Sequence, residues 1–481
     1  MRKKRIAILL LCLLLCACLP TPEQEYIVNK GDDTLAQKLK DGGEAGANGN
    51  GAALGPQTFS DHWDLEETAV ANRFSVMADA EITQRTDGFY PVYRTRQCFF
   101  TKSTVAGYLS KLLDRPVAER DAAKTKEDWG KELQAYLDRV AERERSEQED
   151  PDADRDEMGY TPEEDEAMTD FYMEQIQNAP DEREAREIAG FSDLNMNGRS
   201  VLELESGEHV FVEAFAERFM LCRNSDTDGY VLFEYDVDPE EPIGKLWHEV
   251  TADRTQAEKV LNDTLARMEI SGFAIASAYR ANLLAVYTAG DEYLTNGWAF
   301  TLRRDYGGYP IPEGPIKSSS DLNYGEGGEF AVNRHINPEE IVVLVDENGL
   351  QYLSYSNPKE IVGIENPNVA LLPLETIEAC VQQYLKYFNV ERRQGREKTW
   401  QIRADVWRMM LTPYTIYVKN AADYYEMPCW VVYYDVRRSM RGVAEEDPGI
   451  IEKNRHAYYR MHECLIINAV DGSIIHTSLD Y

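Results

Sequence analysis

Apolar residues recur with two periods along this chain, and the switches between them mark its elements. Period two runs through "FSVMADAEI", from Phe74, and "YPVYRTRQCFFT", from Tyr90, which predict strands. Val105, Tyr108, Leu109 and Leu112 then fall at helical spacing. Residues 117–190 are densely charged. Within them Trp129, Leu133, Tyr136, Leu137 and Val140 mark one face of a helix. "TPEEDEAMTDFYMEQI" begins a second, with Thr161 as its cap, Pro162 in its first turn and Glu164 closing a capping box. The acidic "EQEDPDADRDE" between them reads as a loop.

From Gly198 the pattern returns to strands. "RSVLELESGEHVFVEAF" and "RFMLCRNSDTDGYVLFEYD" each read as a hairpin with a glycine at its turn. Thr255 with Glu258 caps a helix, "TQAEKVLNDTLARME", and strands follow at Ala274–Tyr287 and Trp298–Arg304. A further hairpin, Glu339 to Pro358, turns at Asn348-Gly349. The last helix is "LETIEACVQQYLKYF"; strands follow near Gln401–Val418, Cys429–Arg437, Cys464–Ala469 and Ser473–Thr477. The expectation is an α+β fold: two helix-plus-antiparallel-sheet units with a charged helical insert. The boundaries fall at 60–250 for an N-terminal α+β region containing the insert 117–190, 251–372 for a middle unit, and 373–481 for a C-terminal unit.

The chain start changes the picture. Arg2, Lys3, Lys4 and Arg5 precede an apolar run from Ile6 to Leu19. A membrane-spanning helix needs about 20 apolar residues, so this run is short for a permanent anchor. Its basic start and small residues near the end mark a secretory signal. The ending Leu15-Cys16-Ala17-Cys18 resembles bacterial lipoprotein signals. That resemblance implies a signal peptide over 1–17 and a diacylglyceryl group on Cys18, which becomes the new N-terminus. Cys16 departs from the small or β-branched residue usual there. Two acyl chains suffice for stable attachment, so the membrane is the first partner, met through lipid on the extracytoplasmic face. "DGGEAGANGNGAALGP" has the composition of flexible coil, so 18–59 reads as a tether.

Charge narrows the partners. Four of the 51 Lys and Arg residues lie in the leader and none of the 85 Asp and Glu residues does, which leaves the mature chain at −38. This argues against nucleic acid as a partner, because binding it requires cations that neutralise phosphate. It argues equally against a polybasic grip on anionic lipid. Cys98, Cys222, Cys380, Cys429 and Cys464 remain after the leader, widely spaced and without a CxxC pair, so no zinc or thioredoxin-like site is indicated. Several sit in apolar stretches, as small hydrophobes do.

Candidate chemistry is sparse. Asp193, Asn195, Asn197 and Gly198 match the first half of a calcium loop, but Leu204 stands where the glutamate belongs, flanked by Glu203 and Glu205. Asn224, Asp226, Asp228 and Gly229 repeat the half-motif, with Tyr235 at the glutamate position. Hairpin turns use the same residues because Asn, Asp and Gly tolerate positive φ, and turns are the preferred reading. His248-Glu249 lacks a second histidine for HExxH. His456 and His462 lie near Cys464, whose surroundings read as buried, which disfavours a nucleophile there. No GxSxG, GxxxxGK[ST] or strand-to-helix GxGxxG occurs. No cofactor is implied. The 28 tyrosines concentrate in "TPYTIY", "VVYYDV" and "HAYYRM". They read as sheet packing, unless one sheet face exposes them, which would favour sugar.

Two resemblances concern the folded part. "ECLIINAVDGSIIHT" resembles the closing hairpin of PepSY-type domains, a strand, an Asp-Gly turn and a strand. "PTPEQEYIVNKGDD", "YPVYRTRQCFFT", "DLNMNGRS", "INPEEIVVLVDENGLQYLSYSNP" and "NVALLPLETI" together resemble a lipoprotein family of Gram-positive gut anaerobes that has no established activity. This second resemblance covers most of the mature chain and implies location and architecture only. The expected role is non-catalytic binding, scaffolding or regulation at the cell envelope, through a protein or glycan partner. The alternative is an extracellular hydrolase or carbohydrate-binding protein acting on wall polymer. Replacing Cys18→Ala is expected to release the chain from the membrane fraction; equal retention of the variant would show that lipid at Cys18 is not the tether.

Overall fold

The computed structural model describes residues 54–71, 74–121, 124–149, 162–181, 185–194, 198–225, 230–235, 248–287, 290–312, 339–390, 400–416, 423–440 and 458–475. In chain order its elements begin with β1 (His62–Ala71), β2 (Phe74–Thr83), β3 (Val92–Gln97), α1 (Lys102–Leu112) and β4 (Pro116–Asp121). Next come α2 (Lys126–Glu149), α3 (Pro162–Asn178), β5 (Ala185–Glu187), β6 (Gly198–Leu204), β7 (His209–Ala214), β8 (Arg218–Arg223) and β9 (Tyr230–Tyr235). The middle of the chain forms α4 (Arg254–Met268), β10 (Phe273–Tyr287), β11 (Gly290–Arg304), β12 (Glu340–Asp346), β13 (Gly349–Ser356) and β14 (Lys359–Asn366). The last elements are α5 (Leu374–Val390), β15 (Trp400–Ile416), β16 (Tyr424–Met440), β17 (Tyr458–Asn468) and β18 (Ile474–Ile475). The fold is mixed α+β and dominated by sheet.

The chain divides into two interleaved units. One comprises Met1–Thr95, Gly307–Ile336 and Ile361–Tyr481; the other comprises Arg96–Tyr306 and Asn337–Glu360. The divisions read from the sequence, at 250 and 372, cut the chain into consecutive blocks. The observed units draw instead on segments far apart in sequence.

The sheet of the first unit runs β1-β2-β15-β16-β17-β18, with β3 pairing to β16 and β14. β2 and β15 are parallel, from Phe74 opposite Ile402 to Thr83 opposite Met410. On one face β2 buries Phe74, Val76, Ala78, Ala80 and Ile82. β15 and β16 bury Ala404, Val406, Met409, Trp430, Val432, Tyr434 and Val436. α5, whose Ile377, Val381 and Leu385 are fully buried, packs on β1 and β2. Leu54–Phe59 lie within the span read as tether, yet they are fastened to this unit. Gln57 donates through Nε2 to the Val369 carbonyl at 2.8 Å and accepts from Leu371 N–H at 2.9 Å. Asn368 donates to the Leu54 carbonyl at 2.9 Å. Phe59 meets Trp430 edge-on at 5.4 Å. Cys18 and residues 19–53 lie outside the described residues.

The sheet of the second unit is antiparallel throughout, in the order β5-β4-β6-β7-β8-β13-β12-β11-β10-β9. One face packs on α1, through Val105, Leu109 and Leu112, and on α4, through Ala257, Leu261, Leu265 and Met268. Each such valine, leucine or methionine side chain contributes about 1.5–3 kcal/mol by leaving water. Thr101 caps α1 by accepting from Thr104 N–H at 3.2 Å. α4 starts earlier than the sequence indicated. Its cap is Asp253, which accepts from Gln256 N–H at 3.0 Å, while Glu258 pairs with Arg254 at 2.8 Å. Aspartate at the cap satisfies an orphan N–H and meets the positive end of the helix dipole as well.

The second sheet departs from the sequence reading in three places. β8 and β9 do not form a hairpin: β8 pairs with β7 and β13, whereas β9 pairs with β10 at the far edge. The β12–β13 turn consists of Glu347 and Asn348, since Asp346 opposes Gly349; Asp346 accepts from Asn348 N–H, and Gly349 takes φ 115°. The charged insert begins and ends in the sheet, because β4 and β5 pair with each other and flank α2 and α3. The two helices pack through aromatic rings, Trp129 on Phe171 and Tyr136 on Tyr172, and Tyr136 donates to Asp165 at 2.7 Å. The capping residue read at Thr161 lies outside the described residues.

Gly297 lies on β11 against the backbone of β12 at Val345. A Cβ there would lie 2.2 Å from the Val345 carbonyl oxygen, which backbone cannot yield. Gly297→Ala is expected to destabilise the chain by about 1–3 kcal/mol, as overpacking does. A lowered denaturant midpoint checks this, and an unchanged midpoint contradicts it.

Candidate functional site

β2 alternates strictly, so burying its even residues turns the odd ones, Ser75, Met77, Asp79 and Glu81, to the other face of the first unit's sheet. The parallel register sets Met77 opposite Asp405, which brings Asp405 onto that face too. Asp405 stands directly opposite Asp435 of β16. Both are buried, at 9% and 1% exposure. Like charges directly opposite on neighbouring strands destabilise a sheet. Arg403 compensates: its Nε and Nη2 donate to Asp405 at 2.7 and 3.3 Å, and its Nη1 lies 3.7 Å from Glu67. The register places His462 opposite Asp435 on the next strand.

One residue further along, β15 breaks its period. Val406 opposes Tyr434 and Arg408 opposes Tyr433, so Trp407 is an extra residue in a β-bulge. A bulge re-aims side chains, and here Trp407 is 43% exposed between the buried Val406 and Met409. Its ring leans on Tyr433, with centroids 5.4 Å apart and planes at 36°. An indole on a phenol, beside the half-buried Arg403 and Arg408, forms an aromatic platform with a cationic rim. Such a surface stacks on the apolar C–H face of a ring while its rim hydrogen-bonds ring substituents.

The same sheet face turns apolar towards its other end, where Met427, Cys429, Val431, Cys464 and Ile466 cluster with Val92, Val369 and Tyr414. Cys464 is therefore a core thiol. Burial pushes the Cys429 thiol well above its ordinary range. In the second unit burial pushes Cys222 up to about 12. Among the described residues, Cys98, Cys222, Cys380, Cys429 and Cys464 form no disulfide.

The candidate calcium ligands are placed only in part. Asp193 spends its carboxylate on its own loop, accepting from Ala189 N–H at 2.9 Å. Glu203 pairs with Arg120 at 3.2 Å and Glu205 with Arg115 at 3.3 Å. Asn195, Asn197, Asp226 and Asp228 lie outside the described residues. The second unit also holds a buried ion pair, Arg304 with Glu339. Burial works against charge on Arg304, and the Glu339 carboxylate more than offsets it, holding the guanidinium above its ordinary pKa. Glu339 also accepts from Tyr355 Oη at 2.8 Å and Lys359 N–H at 2.9 Å. That group joins β11, β13 and β14 and has no capacity left for a ligand, so its role is structural.

Sequence reasoning placed β15 and β16 as strands and missed the platform. The available signal was "DVWRMM", where Trp407 and Arg408 interrupt the alternation. The tyrosine clusters divide: Tyr434 and Tyr414 are core residues, while Tyr433 supports the platform. Among the described residues no helix is long and apolar enough to cross a membrane.

No family model matches the chain, and no curated protein matches it. An uncharacterised protein from Eubacterium rectale ATCC 33656, known from a crystal structure, is similar to it with a TM-score of 0.42 and 11% identity. The similarity covers 85% of this chain and 92% of the other.

Arg403→Ala is expected to leave the buried Asp405 carboxylate without its fork and to destabilise the first unit by about 3 kcal/mol. Chemical denaturation checks this; a change below about 0.5 kcal/mol, typical of surface substitutions, contradicts it.

Proposed function

We propose that the chain is a protein lipid-anchored at the extracytoplasmic face of the cell membrane, whose first unit binds a neutral glycan on the Trp407–Tyr433 platform. The observation that carries this reading is the exposure of Trp407 at a bulge, amid strand residues that are otherwise buried. An exposed indole in a rigid sheet loses little side-chain freedom on binding, and its flat apolar surface fits a sugar ring. The half-buried guanidinium groups of Arg403 and Arg408 supply donors for the sugar's hydroxyl groups. The net charge of −38 after the leader favours a neutral polymer, because anionic ones are repelled. Attachment through Cys18 would hold this face on the outside of the cell, where such polymers occur.

The opposed Asp405 and Asp435 give a hydrolase reading one supporting observation, since glycosidases use a carboxylate pair. Their burial and the Arg403 fork count against it, because a catalytic pair must reach the substrate.

The test is binding of the mature chain, made soluble by Cys18→Ala, to immobilised cello-, malto- and chito-oligosaccharides. Binding to at least one series is expected, with a loss of tenfold or more in Trp407→Ala and an unchanged melting temperature. Failure to bind any of the three, or equal binding by the variant, contradicts the proposal. Release of reducing ends would favour the hydrolase.

A further inference from the structure

The geometry points to a divalent-metal site on the β1–β2 hairpin, formed by His62, Asp64 and Asp79. Asp64 and Asp79 are directly opposite in the antiparallel register, and His62 is two residues from Asp64 on the same strand face. His62 Nε2 lies 3.2 Å from Asp64 Oδ1 and 3.0 Å from Asp79 Oδ1. One ring nitrogen thus meets both carboxylates, and the three donor atoms lie within 4.8 Å of one another.

A neutral imidazole has a single N–H, so Nε2 serves two carboxylates with one proton at best. A cation at the point of convergence accepts a lone pair from all three atoms and removes the repulsion between the opposed aspartates. One imidazole with two carboxylates suits a borderline ion such as Mn²⁺ or Zn²⁺ better than Ca²⁺, which prefers oxygen alone. The three ligands come from two adjacent strands of a sheet, which fixes their spacing. The site is open to water, leaving positions for solvent or a ligand oxygen. By the alternation of β2 it shares the sheet face of Asp405, but it does not depend on glycan binding.

The experiment is titration of the mature Cys18→Ala chain with MnCl₂ at 150 mM NaCl, following the loss of free Mn²⁺ by electron paramagnetic resonance. Mn²⁺ binds thiolates poorly, which keeps the free cysteines out of the measurement. The expected result is one saturable equivalent, displaced by Zn²⁺ more readily than by Ca²⁺. His62→Ala and Asp79→Asn should each weaken binding at least tenfold with circular dichroism unchanged. A diffuse attraction to the acidic surface would survive His62→Ala. Unsaturable binding, or equal binding by that variant, overturns the assignment.

Discussion

Phe74 pairs with Ile402, and every residue of the second unit lies in the loop which that pairing closes. The parallel ladder between β2 and β15 is the contact on which the first unit depends. Without it β1 and β2 have no sheet, since β2 is the strand through which the β1–β2 hairpin joins β15 and β16. Closing so long a loop is less costly than it looks, because each doubling of loop length adds only about 0.6 kcal/mol. The second unit has its own antiparallel sheet and its own core against α1 and α4, so the loop is itself folded rather than a flexible coil. Parallel pairing between distant segments is slow to form, which makes the ladder a late step in folding.

The ladder also decides what the open face carries. Its register puts the apolar residues of β2 beside Ala404 and Val406, against α5, and the polar ones beside Asp405. A slip by one residue would send Asp405 into the core and Val406 to the other face. The bulge at Trp407 lies within the same ladder, where the pairing steps from Val406–Ala78 to Arg408–Glu81. Exposure of the indole therefore follows from how two strands accommodate unequal residue counts. The Arg403 fork, which offsets the opposed Asp405 and Asp435, stabilises the geometry around it, much as supporting groups orient a binding residue elsewhere.

Local signals in the sequence were reliable where structure is local. The β6–β7 and β12–β13 pairings, the existence of β10 and β11, and the five α-helices among the described residues follow from alternation, helical spacing and turn residues. What escaped was decided at a distance. β1, "HWDLEETAVA", is an edge strand whose exposed glutamates hide its period. β8 and β9 adjoin in sequence, yet four strands separate them in the sheet, because both edges of β8 are taken by β7 and β13. β4 and β5 are too short and too charged to announce themselves beside α2 and α3. The platform was illegible for a related reason. Trp407 and Tyr434 both sit in apolar strand sequence, and only the bulge and the register separate an exposed ring from a buried one. The His62 cluster likewise needs the β1–β2 register to bring Asp79 to His62.

The most direct measurement is therefore of the ladder itself. Cysteines introduced at Met77 and Asp405 should be bridged by a thiol cross-linker spanning about 5 Å, the separation of neighbouring strands, and the linked peptides identified by mass spectrometry. The parallel register predicts an efficient bridge between positions 77 and 405, and none when the second cysteine is moved to Ala404, whose side chain points to the core. Equal bridging at 404, or no bridge at 405, would contradict the register and the face built on it.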